Sequence, residues 1–167
     1  MARISEEAAV VLAAALLDQT VIKRYRSNIS PVPMRGGCLI WCGALSGRGH
    51  ARFWIGNLPD GRDVTVLAHR FGYGLVHGFD ELMATQAVRH DCDNPLCQEP
   101  SHWRAGTNAE NAHDWVCRRE VPGSPLRDAR GSIGRARALR DAARAGEDLE
   151  ATSARGLARD QDQLPLF

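Results

Sequence analysis

The chain has 167 residues, 44% hydrophobic and 25% charged, with a formal net charge of +1, values ordinary for a soluble globular protein of one compact domain plus appendages. Its five cysteines, an odd number clustered at metal-binding spacing, argue against a secreted disulfide framework and for a reducing compartment. The cations are 20 Arg and one Lys, a bias that a GC-rich genome also produces and so a weak pointer to phosphate binding.

In chain order, Ser5-Glu6-Glu7 caps an alanine-rich helix through Ala8–Leu17 that extends towards Arg26. Its apolar run is too short to span a bilayer, and two glutamates stand where a signal peptide carries positive charge, which argues against export. Residues 27–37 are a breaker-rich connection. From Cys38 the pattern changes to β-prone runs at Cys38–Gly43, Ala51–Ile55 and Val64–Ala68, separated by two turn compositions. They predict a small antiparallel sheet. His69-Arg70 then opens a helical segment to about His77, and Ala87-Val88 is a further short β-prone run. The fold class expected is α+β.

The densest chemistry lies in residues 88–111. His90 is followed by Cys92-x4-Cys97-x4-His102, with Asp93-Asn94-Pro95 forcing a turn between the cysteines. Thiolate and imidazole are the ligands zinc prefers, and a structural site takes four in a tetrahedron. The fourth must come from Cys38 or Cys42; strand alternation puts both on one side, so spacing leaves the two open. A four-cysteine site that drops His102 is also open. Next, Thr107-Asn108-Ala109-Glu110 is a capping box that starts a helix at about residue 108. That helix carries Asn111 on its first turn, an Asp114–Arg118 i,i+4 pair on its outer side, and a partly apolar face of Ala112, Trp115, Val116 and Arg119. Strand, metal-pinned loop, strand, helix is a ββα unit in which His90 faces Asn111.

His90-x-Cys92-x4-Cys97-x4-His102-x8-Asn111 resembles the HNH (ββα-metal, His-Me finger) endonucleases, in particular the branch related to the His-Cys box homing endonucleases. The resemblance spans roughly residues 25–120. It implies a metal-dependent DNA endonuclease, in phage-infected or bacterial cytoplasm, with His90 as general base and Asn111 binding a catalytic Mg²⁺ or other divalent ion. It also implies Cys92, Cys97 and His102 as ligands of a structural Zn²⁺, with Asn94 bracing the loop. Cys38-Leu39-Ile40-Trp41 matches the family's Cys-x-x-Trp segment and selects Cys38 as fourth ligand. Arg89 stands where the family often has a second metal-binding Asp or His. Ala68-His69-Arg70 resembles an Ala-His-Arg signature of bacterial and phage HNH proteins. Arg70 would steady the scissile phosphate, while His69 fits packing and function equally. In the related enzymes the sheet lies against the DNA groove, a role Arg48, Arg52 and Arg62 would fill unless they are only solubilising edge charges; Arg89 joins them as a DNA contact. His50 and His113 fit no pattern and read as surface residues.

The expected organisation is an N-terminal helix over 1–30, a nuclease domain over 31–120, an Arg/Ala-rich helical tail over 121–162, and a terminal motif. Residues 127–144 hold six Arg against two Asp. That suits a basic helix binding phosphates, or a helix lying on its own domain, and faintly resembles the helix-turn-helix modules appended to HNH proteins. Gln163, Leu164, Leu166 and Phe167 resemble the peptides by which bacterial proteins dock on the replicative sliding clamp. DNA and that clamp are the partners implied; a homodimer is compatible with the sequence. Two other classes remain: a zinc-stabilised DNA-binding module without catalysis, and a protein-interaction adaptor.

Overall fold

The computed structural model describes residues 4–157. Helix α1 (Glu6–Leu17) starts at Ser5, whose hydroxyl accepts the Ala8 amide, and has Glu6 and Glu7 in its first turn. The single long helix expected there is in fact two. Asp18 takes an extended conformation, ends α1, and accepts the amides of Thr20 and Val21 to cap α2 (Gln19–Ser27). A carboxylate that satisfies free N–H groups favours a new start over continuation.

Strands β1 (Ala44–Leu45), β2 (Ala51–Asn57) and β3 (Asp63–Leu67) form an antiparallel sheet in that order. The strand expected over Cys38–Gly43 is not continuous. Its backbone bonds instead to loops: the Trp41 amide to Leu96, the Cys42 amide to Asn28, and the Leu39 carbonyl to Gln98. Only isolated bridges, Ile29–Trp41 and Ile40–Cys97, result. Ile40 and Trp41 nevertheless reach the centre of the core. Trp41, Tyr25, Phe53 and Phe71 pack with ring centroids 4.9–5.7 Å apart, a spacing at which tilted and edge-on pairs attract.

Helix α3 (Ala68–His77) follows β3 directly, and α4 (Phe79–Ala84) leads into β4 (Ala87–His90). Gly72 lets α3 approach Tyr25 and Trp103 so closely that a Cβ would overlap both rings. Strand β4 pairs antiparallel with β5 (Trp103–Gly106), placing His90 opposite Trp103. Helix α5 (Asn108–Arg119) starts at the expected capping box, with Thr107 and Glu110 bonding reciprocally.

Beyond residue 120, α6 (Gly131–Ala145) and α7 (Leu149–Ala154) return to the molecule. Ala136, Leu139, Ala142 and Leu149 join the same hydrophobic core as α1 and the sheet. The Arg-rich segment thus packs on its own protein. Asp128 is almost fully buried and pairs with Arg130 at 2.6 Å and Arg135 at 3.2 Å, while Arg135 also donates to Ser153. The terminal residues Gln163, Leu164, Leu166 and Phe167 lie outside the described residues.

Candidate metal centre and adjoining pocket

Cys38, Cys92, Cys97 and His102 converge, with their ligand atoms all within 4.8 Å of one another. Cys38 comes from the segment before the sheet, the two later cysteines from the β4–β5 loop, and His102 from the short 3₁₀ turn that leads into β5. His102 Nδ1 lies 3.5 Å from Cys38 Sγ and 3.4 Å from Cys97 Sγ. Zn–S and Zn–N bonds of about 2.3 and 2.1 Å at the tetrahedral angle require about 3.6 Å. Cys42 stays outside, its sulfur 3.6 Å from the Ile40 carbonyl, so of the two candidates it is Cys38 that joins the cluster.

The donor chemistry fits a cation. Hydrogen bonds from the Cys38 and Cys97 thiols pull Cys92 far below the usual thiol range, and the same bonds push Cys38 and Cys97 up. Three sulfurs this close ionise together only around a positive ion. The amides of Glu99 and Asn94 point at Cys97 and Cys92 and stabilise negative sulfur. This Cys₃His cluster is able to hold a metal such as zinc.

His90 sits where β4 runs into the loop. Its Nε2 lies 3.1 Å from the carbonyl oxygen of Cys97. A carbonyl only accepts, so Nε2 carries the proton and Nδ1 is left as an acceptor. Burial lowers its pKa. His69, fully buried, packs edge-on against it with centroids 4.5 Å apart; burial, then the neighbouring His90, holds His69 neutral. Asn94 is buried and its Oδ1 accepts the Leu96 amide at 3.1 Å, bracing the loop as expected. Asp93 adopts a left-handed φ of 51°, a region short polar side chains tolerate. Its carboxylate takes a bond from Arg118 of α5 at 3.1 Å.

Arg118 also donates to the main-chain carbonyls of His90 and Asp91 at 3.2 and 3.4 Å. The Asp114–Arg118 pair is present at 3.5 Å but faces the metal loop, not solvent, because Asp114 also meets Arg89 at 2.6 Å. The expected partly apolar face of α5 is on the surface: Trp115 is 49% and Val116 58% exposed.

His90 and Asn111 line one cavity of about 340 Å³, together with Arg48, His50, Asp93 and Asn94. Asp114, Ser132 and Arg135 complete much of the wall. The two acidic groups are matched by Arg118 and Arg89, whereas Arg135 shares its one carboxylate with Arg130. Positive charge therefore exceeds negative around the cavity, which suits an anion.

The other sequence-derived residues are not brought there. Arg70 donates to the carbonyls of Leu82, Thr85 and Gln86 at 3.1–3.3 Å, tying α4 to β4. It lines a different groove, which Arg52 shares. Arg52 bonds Thr65, and Arg62 pairs with Asp60 in the β2–β3 turn. Arg89 is largely buried in its ion pair with Asp114. His113 is exposed beside Cys117, but His50 is not the surface residue expected. It is half-buried in the pocket wall, and nothing in its local sequence signals that.

No protein-family model matches the chain, and no solved structure matches it significantly. Two proteins of Escherichia phage T7 are similar to it. Protein 2.8 is 36% identical over 100 residues, covering 60% of this chain and 60% of its own length. Protein 7.7 is 32% identical over 90 residues, covering 53% of this chain and 63% of its own length. The chain thus spans less than two thirds of the length of these relatives. Among the described residues no helix is long and apolar enough to cross a membrane.

Proposed function

We propose that this chain is an HNH-type, ββα-metal DNA endonuclease of a phage or mobile element. One observation carries the reading: His90, at the end of β4, and Asn111, on the first turn of α5, line the same cationic pocket beside a Cys₃His cluster. A strand, a metal-ligand loop, a strand and a capped helix set that geometry.

The chemistry follows from the residues. A phosphodiester resists hydrolysis because the attacking oxygen, the leaving oxygen and the phosphate all repel negative charge. His90 Nδ1, the free acceptor of the ring, takes a proton from water as its oxygen bonds to phosphorus. The bond from phosphorus to the 3′ oxygen breaks and that oxygen takes a proton from solvent water, leaving 5′-phosphate and 3′-hydroxyl ends. Asn111 presents one neutral oxygen, suited to a divalent ion such as Mg²⁺ when phosphate oxygens complete its shell. When bound, that ion would neutralise phosphate charge and steady the leaving oxygen. Arg48 and Arg135 add positive charge at the wall. Zinc at the Cys₃His cluster would replace a hydrophobic core under the loop and hold His90 at its distance from α5.

The test is plasmid cleavage with Mg²⁺, comparing the wild type with His90→Ala. Loss of cleavage with DNA binding retained supports the reading. DNA binding without cleavage by the wild type would leave the non-catalytic module.

A further inference from the structure

We infer that His50 contacts the substrate, donating a ring N–H to a non-bridging oxygen of the phosphodiester that His90 and Asn111 engage. This inference rests on the nuclease reading above. His50 lies in the turn between β1 and β2, and its backbone is held at both ends: its amide donates to Ser46 Oγ at 3.1 Å and its carbonyl accepts the Ser46 amide at 2.8 Å. The turn packs tightly against α6. Gly49, at a φ of +82°, lies so close to α6 that a Cβ would meet the Ser132 carbonyl oxygen at 2.8 Å. The imidazole is thus delivered to the wall of the cavity that contains His90 and Asn111.

The ring has no protein hydrogen-bond partner among the described residues. The contrast is His69, which is fully enclosed, with one hydrogen bond to the Val88 backbone and Nδ1 without a partner, so its ring is closed to any ligand. His50 instead stands half-buried in the wall of an open pocket, with its ring nitrogens unused by the protein. Burial and then Arg48 lower its own pKa, so the ring is a neutral donor near pH 7. A neutral donor beside cationic Arg48 recognises a phosphate oxygen without adding a second buried charge.

The experiment uses the full chain with wild type, His50→Phe, His50→Gln and His90→Ala. Binding of a short DNA duplex is measured in Ca²⁺, cleavage in Mg²⁺, and histidine ring ¹⁵N shifts are followed during the duplex titration. Expected are wild-type zinc content and melting for both His50 variants, and cleavage slower by about 100- to 1,000-fold, the scale of one lost donor to a developing charge. The His50 ring resonances should move on adding duplex while those of His113 stay put. If His90→Ala is dead and DNA binds, yet His50→Phe cleaves at the wild-type rate or the His50 ring does not respond, this inference alone fails. If wild-type protein binds no duplex, or His90→Ala cleaves normally, the nuclease reading fails and this one with it.

Discussion

The imidazole of His90 is hydrogen-bonded through Nε2 to the carbonyl oxygen of Cys97 at 3.1 Å. The side chain of Cys97 belongs to the Cys₃His cluster while its main chain orients the candidate base. The same carbonyl accepts the Trp103 indole N–H at 3.3 Å, which anchors it to the core. The cluster and the pocket are therefore one mechanical unit, and perturbing the first displaces the second.

His90→Ala and Asn111→Ala should each abolish Mg²⁺-dependent cleavage. Both side chains line the pocket and neither belongs to the metal cluster, so circular dichroism and zinc content should match the wild type. Wild-type cleavage by His90→Ala would remove it as the base.

Zinc should co-purify at one ion per chain, bound by the cluster. Cys97→Ser and Cys38→Ser should lose it, and hydrogen exchange should show residues 88–118 opening, because the metal supplies folding energy there. Cys42→Ser should retain it. Well-folded protein without zinc by elemental analysis would rule out the site.

Arg70→Ala should act on stability. Removing a guanidinium that satisfies three carbonyls leaves those acceptors unpaired, at a cost of about 1–3 kcal/mol. Chemical denaturation should show that loss, with duplex affinity at low temperature unchanged. A stable variant that binds DNA poorly would return Arg70 to the substrate surface.

Asp128 predicts a pH dependence. Burial alone would raise its pKa, but hydrogen bonds from Arg130 and Arg135 outweigh that and hold it below the usual carboxylate value. A carboxyl depressed in the folded state contributes stability that is present above its unfolded pKa of about 3.9 and is lost as pH falls through the folded value. Asp128→Asn should therefore cost most at neutral pH, about 3 kcal/mol for a broken buried pair. The gap to wild type should close as pH drops below about 4. A gap independent of pH would show that Asp128 is not ionised in the folded protein.

A peptide of residues 157–167 should bind a bacterial sliding clamp by calorimetry, with Gln163 hydrogen-bonded and Leu164, Leu166 and Phe167 filling apolar pockets. No heat at high micromolar peptide would end the idea.

The sequence by itself determined the local chemistry. Ligand spacing in Cys92-x4-Cys97-x4-His102, the Thr107–Glu110 capping box and the alternation in β2 and β3 act over a few residues, and the structure contains each of them. Only the tertiary structure decided what depends on distant segments meeting. It chose Cys38 over Cys42, because the 38–42 backbone pairs with loops at 28–30 and 94–98 instead of with a strand. It committed Arg70 and Arg89 to partners at 82–86 and 114, and folded α6 into the core. His50 was hidden for the same reason. Its neighbours in sequence form an ordinary turn, while its neighbours in space, His90 and Asn111, are forty and more residues away. Short-range hydrogen bonding and spacing are written locally, whereas burial, charge pairing and pocket membership arise from packing between elements.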